Sequence, residues 1–182
     1  GVVKALLSSG KKAIGAGAGN PPVIVDDTAD VEKAGADIVA GASFDNNLPC
    51  IAEKECFVFQ NVADELIASM QKNGAYLISG ADIDKLVKLC LIEKNGKYSI
   101  NKDWVGRDAK KFLKAIGIDA DPRLIICEVD NDHPFVQVEM MMPVLGIVRV
   151  KDIDEAIKLA VAAEHGNRHS AHIHSKNIDN LS

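Results

Sequence analysis

The feature that most constrains the fold of this 182-residue chain is a regular alternation of two hydrophobic patterns. Short β-branched runs, typical of buried strands, are separated by segments whose apolar residues recur every three or four positions, as in amphipathic helices. The alternation predicts a three-layer αβα fold of the α/β class, with a mostly parallel sheet and ligands at the carboxyl ends of its strands. The strand-like runs are 23–25, 56–60, 76–79, 124–129 and 145–150.

The helix-like segments also have recognisable boundaries. Residues 26–28 are of types that cap helices, and Asp152 begins a capping-box-like sequence. We expect Gly41 to end the first helix and Asn95-Gly96 to form a turn in an irregular polar segment. The helix-like segments are 29–40, 62–72, 82–91, 103–116 and 153–163. The predicted buried face of the last helix is Ile153, Ala156, Ile157, Ala160 and Val161.

Composition excludes several classes of protein. A net charge of −5 provides no positive field for nucleic acid or anionic membranes. No apolar run approaches the roughly 20 residues that span a bilayer. The four cysteines form no CxxC pair, which is typical of reduced thiols in the cytoplasm. We therefore expect one cytoplasmic domain over 1–182 that binds neither nucleic acid nor membrane.

Cys50 stands where a nucleophile could work. It follows a polar turn at 45–47 and a Leu-Pro pair that excludes helix, and it precedes the apolar run at 56–60. A thiol at such a junction can lie against backbone amides, which stabilise a thiolate. Most single intracellular cysteines are instead small core residues, so this pattern alone leaves both roles open.

Glu139 lies between Val138 and a run of three methionines. A carboxylate in such apolar surroundings needs a partner, since burying it unpaired is costly. The local sequence leaves two partners open: a lysine or arginine in a salt bridge, or a hydroxyl of a ligand.

Four of the five histidines lie within 165–174. On a strand, His172 and His174 would share one face, a spacing that zinc sites use. No cysteine or carboxylate pair stands at complementary spacing, so we predict no metal site and interpret the segment as a polar strand end. The glycine-spaced segment 15–22 precedes its strand, which favours a tight turn over a phosphate loop.

Four motifs together carry a family resemblance. They are Gly-Ala-Gly-Asn-Pro-Pro-Val-Ile-Val-Asp at 17–26, Ser-Phe-Asp-Asn-Asn-Leu-Pro-Cys at 43–50, Glu-Met-Met-Met-Pro-Val-Leu at 139–145, and Glu-His-Gly-Asn-Arg-His-Ser-Ala-His-Ile-His-Ser at 164–175. In this order the chain resembles the aldehyde dehydrogenase superfamily over nearly its whole length. The resemblance is to the CoA-acylating branch, the acetaldehyde and propionaldehyde dehydrogenases of ethanolamine and propanediol utilisation.

The resemblance implies roles for two residues. Cys50 would be the catalytic nucleophile, with its own backbone N–H as one oxyanion donor, and Glu139 would bind the nicotinamide ribose of NAD. An aldehyde would become a Cys50 thioester, and coenzyme A would release the acyl group. Hydrolytic relatives place a glutamate at the position of Gly15 or Ala16, so its absence favours CoA over water as the acceptor. His165, His169, His172 and His174 are candidates to line the channel for CoA or the acyl group, and none of them receives a catalytic role.

The resemblance also implies that 1–182 is the catalytic domain of a longer chain, without most of the NAD-binding domain and inactive by itself. The parent enzyme would be a homo-oligomer acting on a small aldehyde, in the cytoplasm or the lumen of a bacterial microcompartment. Two alternatives stay open: a hydrolytic or phosphorylating relative, and a non-catalytic α/β interaction module.

Overall fold

A computed structural model describes residues 2–13 and 18–182, and within these ranges six strands form one parallel sheet. The sheet order is β3-β6-β7-β2-β1-β8, and a separate antiparallel hairpin is formed by β4 and β5. The strands are β1 (Pro22–Val25), β2 (Glu55–Phe59), β3 (Ala75–Ile78), β4 (Leu91–Lys94), β5 (Lys97–Ile100), β6 (Leu124–Glu128), β7 (Val144–Val150) and β8 (His172–His174).

Helices cover both faces of this sheet, which confirms the predicted αβα architecture. Helices α2 and α3 pack on one face, while α4, α5 and α7 pack on the other. The described helices are α1 (Val2–Leu7), α2 (Val31–Ser43), α3 (Ala63–Lys72), α4 (Ala81–Cys90), α5 (Ala109–Ala115), α6 (Pro134–Gln137), α7 (Ile153–Ala163) and α8 (Ile178–Leu181).

The central strand β2 shows why the strand-like runs were readable from sequence. All five of its residues are buried, with Cys56 and Val58 packing towards α2 and α3, and Phe57 and Phe59 towards α7. A strand covered on both faces requires apolar residues at nearly every position, so it lacks the alternation of a half-exposed strand.

The predicted ends of α2 were wrong at both termini. Asp30, rather than residues 26–28, caps the helix by accepting a hydrogen bond from the N–H of Lys33 at 3.1 Å. At the other end the helix continues through Gly41 to Ser43. A Cβ on Gly41 would lie 2.3 Å from Oε2 of Glu53, so this glycine permits close approach of a side chain and does not end the helix.

Two predictions for the middle of the chain also need correction. The polar segment around Asn95-Gly96 is the β4–β5 hairpin, and its predicted turn is present, with both residues in the left-handed region. The predicted helix 103–116 is formed only from Ala109 onwards, because the chain turns at Gly106, where φ is +68°.

Helix α7 has the predicted bounds and the predicted Asp152 cap, whose side chain accepts from the N–H of Glu155. Its buried residues are the alanines at 156, 160 and 163. Ile157 and Val161, predicted to be buried, are 46% and 65% exposed. Small residues let the helix lie close to the sheet, and this turns the larger ones outward.

The turn predicted within 15–22 can be placed only in part, because Gly15, Ala16 and Gly17 lie outside the described residues. Among the helices that the structure describes, none has the length and apolar character needed to cross a membrane.

Helices α2 and α3 pack closely at Gly35, and we predict that Gly35→Ala destabilises the protein. A Cβ at this position would lie 2.3 Å from Oγ and 2.6 Å from Cβ of Ser69. Alanine gains about 1 kcal/mol of helix propensity, but we expect overpacking to lower the free energy of unfolding by about 1–3 kcal/mol.

Urea denaturation measures this change, and Lys33→Ala on the exposed face of α2 is the control, expected to change stability by less than about 0.5 kcal/mol. A Gly35→Ala protein as stable as the parent would contradict the close contact.

Candidate active site

Cys50 lies at the amino-terminal edge of the sheet, opposite to the edge at which we expected ligands. It comes five positions before β2 begins, and the N–H of Lys54 donates to the carbonyl of Pro21 at 2.9 Å. The segments that lead into β1 and β2 therefore lie side by side at the amino ends of the two strands. Cys50 belongs to an entering segment, and that places it at this edge.

The segment that presents this thiol, residues 44–50, is called the Cys50 loop. Asp45, Asn46 and Asn47 have positive φ angles of 46°, 53° and 64°. The left-handed conformation costs roughly 1–2 kcal/mol per residue, and Asn and Asp tolerate it best among residues with a side chain. The polar turn predicted at 45–47 is thus a run of three left-handed residues.

Two asparagine side chains fix this conformation. Asn46 Nδ2 donates to the carbonyl of Gly106 and to Oδ1 of Asp108, each at 3.1 Å. Asn47 Nδ2, which is buried, donates to the carbonyls of Ala42 and Glu53 at 2.8 and 2.9 Å. Side-chain bonds to the loop's neighbours thus hold a backbone that local preference would not select.

Cys50 is exposed, whereas the other three cysteines are buried. Among the hydrogen bonds of the described residues, none has the backbone N–H of Cys50 as its donor. The thiol and its own N–H are therefore both open to a reactant, as an attacking group and an adjacent oxyanion donor need to be.

Residues 165–174, here called the histidine segment, and the Cys50 loop both lie close to Gly19. A Cβ at Gly19 would lie 3.0 Å from Cγ of His169 and 3.3 Å from the carbonyl oxygen of Cys50. His169 is held by its N–H to Oε1 of Glu164 at 3.1 Å and by Nδ1 near Oγ of Ser170 at 3.0 Å. From the sequence this residue was a candidate only for lining the CoA or acyl channel, and the clustering of histidines was its only local signal.

His169 also borders a surface cavity of about 360 Å³. Its walls come from β1, from the exposed side of α7 and from the histidine segment. The lining residues include Ile24, Ile157, Val161, Arg168 and His172.

Glu139 approaches the same edge from the segment that leads into β7. Its side chain is half-buried, and within 2–13 and 18–182 its carboxylate has no hydrogen bond or ion pair. The salt bridge considered from sequence is therefore not formed with a described residue. The negative charges of Glu139 and Cys50 are among those that act on Lys54, so both predicted site residues lie within electrostatic range of this one cation.

Lys54 is a site residue that sequence reasoning missed. It is 1% exposed, and its Nζ donates to the carbonyl of Asn47 at 2.8 Å, to Oδ1 of Asn47 at 2.5 Å and to the carbonyl of Pro49 at 3.1 Å. Burial lowers its pKa to about 8, against the opposing effect of nearby carboxylates. In the sequence, Glu53-Lys54-Glu55 looks like a solvated charge run, which gives no signal of this burial.

The two flanking glutamates are buried as well. Burial raises the pKa of Glu53, and the positive charges of His172 and Lys54 oppose this only partly. Glu55 is fully buried, its carboxyl oxygens accept no hydrogen bond from the described residues, and burial raises its pKa well above the ordinary value. A carboxyl in this setting favours its neutral form.

His172 and His174 lie on β8 as predicted, but their surroundings do not form a metal centre. His172 Nε2 lies 3.0 Å from the carbonyl of Ile51, and burial lowers the pKa of His174. In the part of the chain that the structure describes, no group of three or more His, Cys, Asp or Glu side chains could hold a metal ion.

Comparison with known proteins identifies the family. The sequence model of the aldehyde dehydrogenase family matches residues 2–182. The CoA-propanoylating propanal dehydrogenase of Salmonella typhimurium strain LT2 is 50% identical over 100% of this chain and 39% of its own length. The chain therefore belongs to the aldehyde dehydrogenase family, as the four motifs indicated.

Solved structures agree with this assignment. Rhodopseudomonas palustris propionaldehyde dehydrogenase, solved with bound CoA and an acylated cysteine, matches with a TM-score of 0.94 and 51% identity over 99% of this chain and 41% of its own. A propionaldehyde dehydrogenase from the Clostridium phytofermentans fucose utilisation microcompartment matches with a TM-score of 0.92 and 52% identity, over 99% and 41%. The chain thus spans about two fifths of the length of these relatives.

The difference in burial predicts selective alkylation of Cys50 by iodoacetamide at pH 7. Cys56, Cys90 and Cys127 are each 0% exposed, and burial raises the pKa of all three, that of Cys127 to about 12. Peptide mapping of the native protein should find label on Cys50, and the guanidinium-unfolded protein should label at all four. Equal labelling of a buried cysteine in the native protein would contradict the structure.

The burial of Glu55 predicts that Glu55→Gln stabilises the protein increasingly as pH rises. A carboxyl whose pKa is raised by folding contributes stability that is fully present below its unfolded value near 4.5 and is lost at higher pH. Glutamine has no such loss, so we expect the variant to gain up to about 1.4 kcal/mol per pH unit relative to the parent.

Urea denaturation at pH 5 and pH 8 measures the gain, and Glu93→Gln on the exposed hairpin is the control without a pH-dependent difference. A Glu55→Gln effect of the same size at both pH values would refute the buried neutral carboxyl.

Proposed function

We propose that this chain is the cysteine-bearing catalytic part of a CoA-acylating aldehyde dehydrogenase, which converts a short-chain aldehyde, CoA and NAD⁺ to acyl-CoA and NADH. The observation that carries the proposal is the exposed Cys50 with an unengaged N–H, in a chain 51% identical to a relative that holds CoA and an acylated cysteine.

Cys50 is the proposed nucleophile. Its thiolate adds to the aldehyde carbon, and the carbonyl π electrons move to the oxygen, which becomes an alkoxide. The N–H of Cys50 donates to that alkoxide, and we expect a second donor from a part of the enzyme that this chain does not span. Loss of hydride from the same carbon leaves a thioester on Sγ.

Glu139 is the proposed cofactor-binding residue. NAD, when bound, supplies the hydride acceptor. A half-buried carboxylate without a partner among the described residues suits a pair of ribose hydroxyls, because an ionised carboxylate accepts several hydrogen bonds and donates none. Its position with Cys50 around Lys54 fits a site where the cofactor meets the thioester.

The proposed acyl acceptor is the thiol of CoA. Hydrolysis needs a general base to activate water, and the sequence carries no carboxylate at Gly15 or Ala16, which lie outside the described residues. A thiol brings its own nucleophile and forms acyl-CoA by attacking the thioester carbon and displacing Cys50. The cavity beside His169 is proposed to border the channel for the acyl group or CoA.

The same proposal covers the setting of the parent enzyme. We propose a homo-oligomer that acts on a small aldehyde in the cytoplasm or within a bacterial microcompartment. One relative comes from such a microcompartment. We also propose that residues 1–182 are inactive as a dehydrogenase by themselves, because cofactor binding needs a domain that the relatives' additional length supplies.

A hybrid enzyme tests the function. In the Salmonella propanal dehydrogenase, the segment that matches this chain is replaced by residues 1–182, a replacement that the 50% identity favours. With propanal, NAD⁺ and CoA, we expect the hybrid to produce NADH and propanoyl-CoA in equal amounts. Cys50→Ala should lower this rate at least about 1000-fold, because the covalent step is lost.

Cys90→Ala, a buried cysteine far from the proposed chemistry, is the matched control and should leave the hybrid active. Propanoate formed in place of propanoyl-CoA would favour a hydrolytic relative. Full activity of Cys50→Ala, or NADH formation by residues 1–182 alone, would contradict the corresponding part of the proposal.

A further inference from the structure

We propose that Lys54 is a positioning residue for Cys50: its ammonium group fixes the backbone of the Cys50 loop and keeps a positive charge beside the peptide bond that leads into Cys50. The proposal rests on the proposed function of Cys50. It assigns a reason for the burial of a lysine that neither the motifs nor the family relationship singled out.

The hydrogen bonds of Lys54 are the first argument. All three acceptors belong to the Cys50 loop: the carbonyl and Oδ1 of Asn47 and the carbonyl of Pro49. The residue after Pro49 is Cys50 itself, so the ammonium donates a hydrogen bond to the carbonyl of the peptide bond that joins Pro49 to the nucleophile. Three donors matched to three acceptors satisfy the ammonium completely.

Backbone strain in the loop is the second argument. Three consecutive residues, 45–47, are left-handed, and such a run persists only where its surroundings over-determine it. Lys54 donates two hydrogen bonds to Asn47, the last of the three residues. The side chain of Asn47 in turn donates to the carbonyls of Ala42 and Glu53. The backbone N–H of Lys54 donates to the carbonyl of Pro21, immediately before β1, so the residue that holds the loop is itself fixed to the sheet.

Charge is the third argument. Lys54 is 1% exposed, so its charge is poorly screened by water and acts strongly on groups nearby. The acidic groups that interact with it are Glu139, Cys50, Glu55 and Glu53. Of these, Cys50 is the exposed group, and under the proposed function it is the one that reacts beside a fixed cation.

The test measures alkylation of Cys50 by iodoacetamide from pH 6 to pH 10, in the parent chain and in Lys54→Met and Lys54→Gln. Both variants lose the charge, and glutamine keeps an N–H donor. We expect alkylation at pH 7 to slow by about threefold to tenfold in both. The rates should converge near pH 10, where Lys54, with a pKa of about 8, is neutral in the parent as well.

A purely structural role would not give this profile, because a disordered loop changes the rate by a similar factor at every pH. Lys97→Met, on the exposed strand β5, is the control and should match the parent throughout. Variant profiles that superimpose on the parent, or that differ from it by a constant factor, would overturn the proposal.

The parent chain offers a check that needs no folded variant. Because Lys54 loses its proton near pH 8, the alkylation rate of Cys50 plotted against pH should change slope near pH 8, and a profile without that change would count against the proposal. An active Cys50→Ala hybrid would refute the proposed function whatever this profile shows.

Discussion

The structure depends on the burial of β2 from both sides of the sheet. Its five residues are covered by α2 and α3 on one face and by α7 on the other, and β1 and β7 pair with its two edges. Such a strand has almost no freedom of register, since a shift by one residue would exchange its two apolar faces. The segment that leads into β2 is therefore held in place where it joins the strand. This segment carries the charged and reactive side chains of the site.

The local charges follow from that placement. Glu53, Lys54 and Glu55 immediately precede or begin β2, so they are drawn into the protein with it. Burial disfavours the charged form of each, which raises the pKa of both glutamates and lowers that of the lysine. Only the lysine finds a full set of hydrogen bonds. The result is a cation held in place at the amino-terminal edge of the sheet, within electrostatic range of Cys50 and Glu139.

Much of the fold could be predicted from the sequence, because buried strands and amphipathic helices leave strong patterns. The five strand-like runs and the bounds of α7 are examples. The C-terminal end of α2 was mispredicted because Gly41 makes room for the side chain of Glu53 and does not end the helix. The start of α5 was mispredicted because the chain turns at Gly106, where φ is positive. Lys54 was missed because three consecutive charged residues look the same in the sequence whether they lie on the surface or are buried at the start of a strand. Cys50 and Glu139 came from motifs, not from local chemistry.

The left-handed run at 45–47 limits which sequences this segment can accept. Each of the three positions disfavours β-branched or bulky side chains, since their Cβ substituents clash with the backbone in this conformation. Asparagine, aspartate and glycine remain, and at position 47 glycine would also lose the amide that joins Ala42 to Glu53. Random mutation should therefore be tolerated far less in this short segment than its polar sequence implies. Its variation over evolutionary time would be slow for reasons of backbone geometry, in addition to any imposed by catalysis.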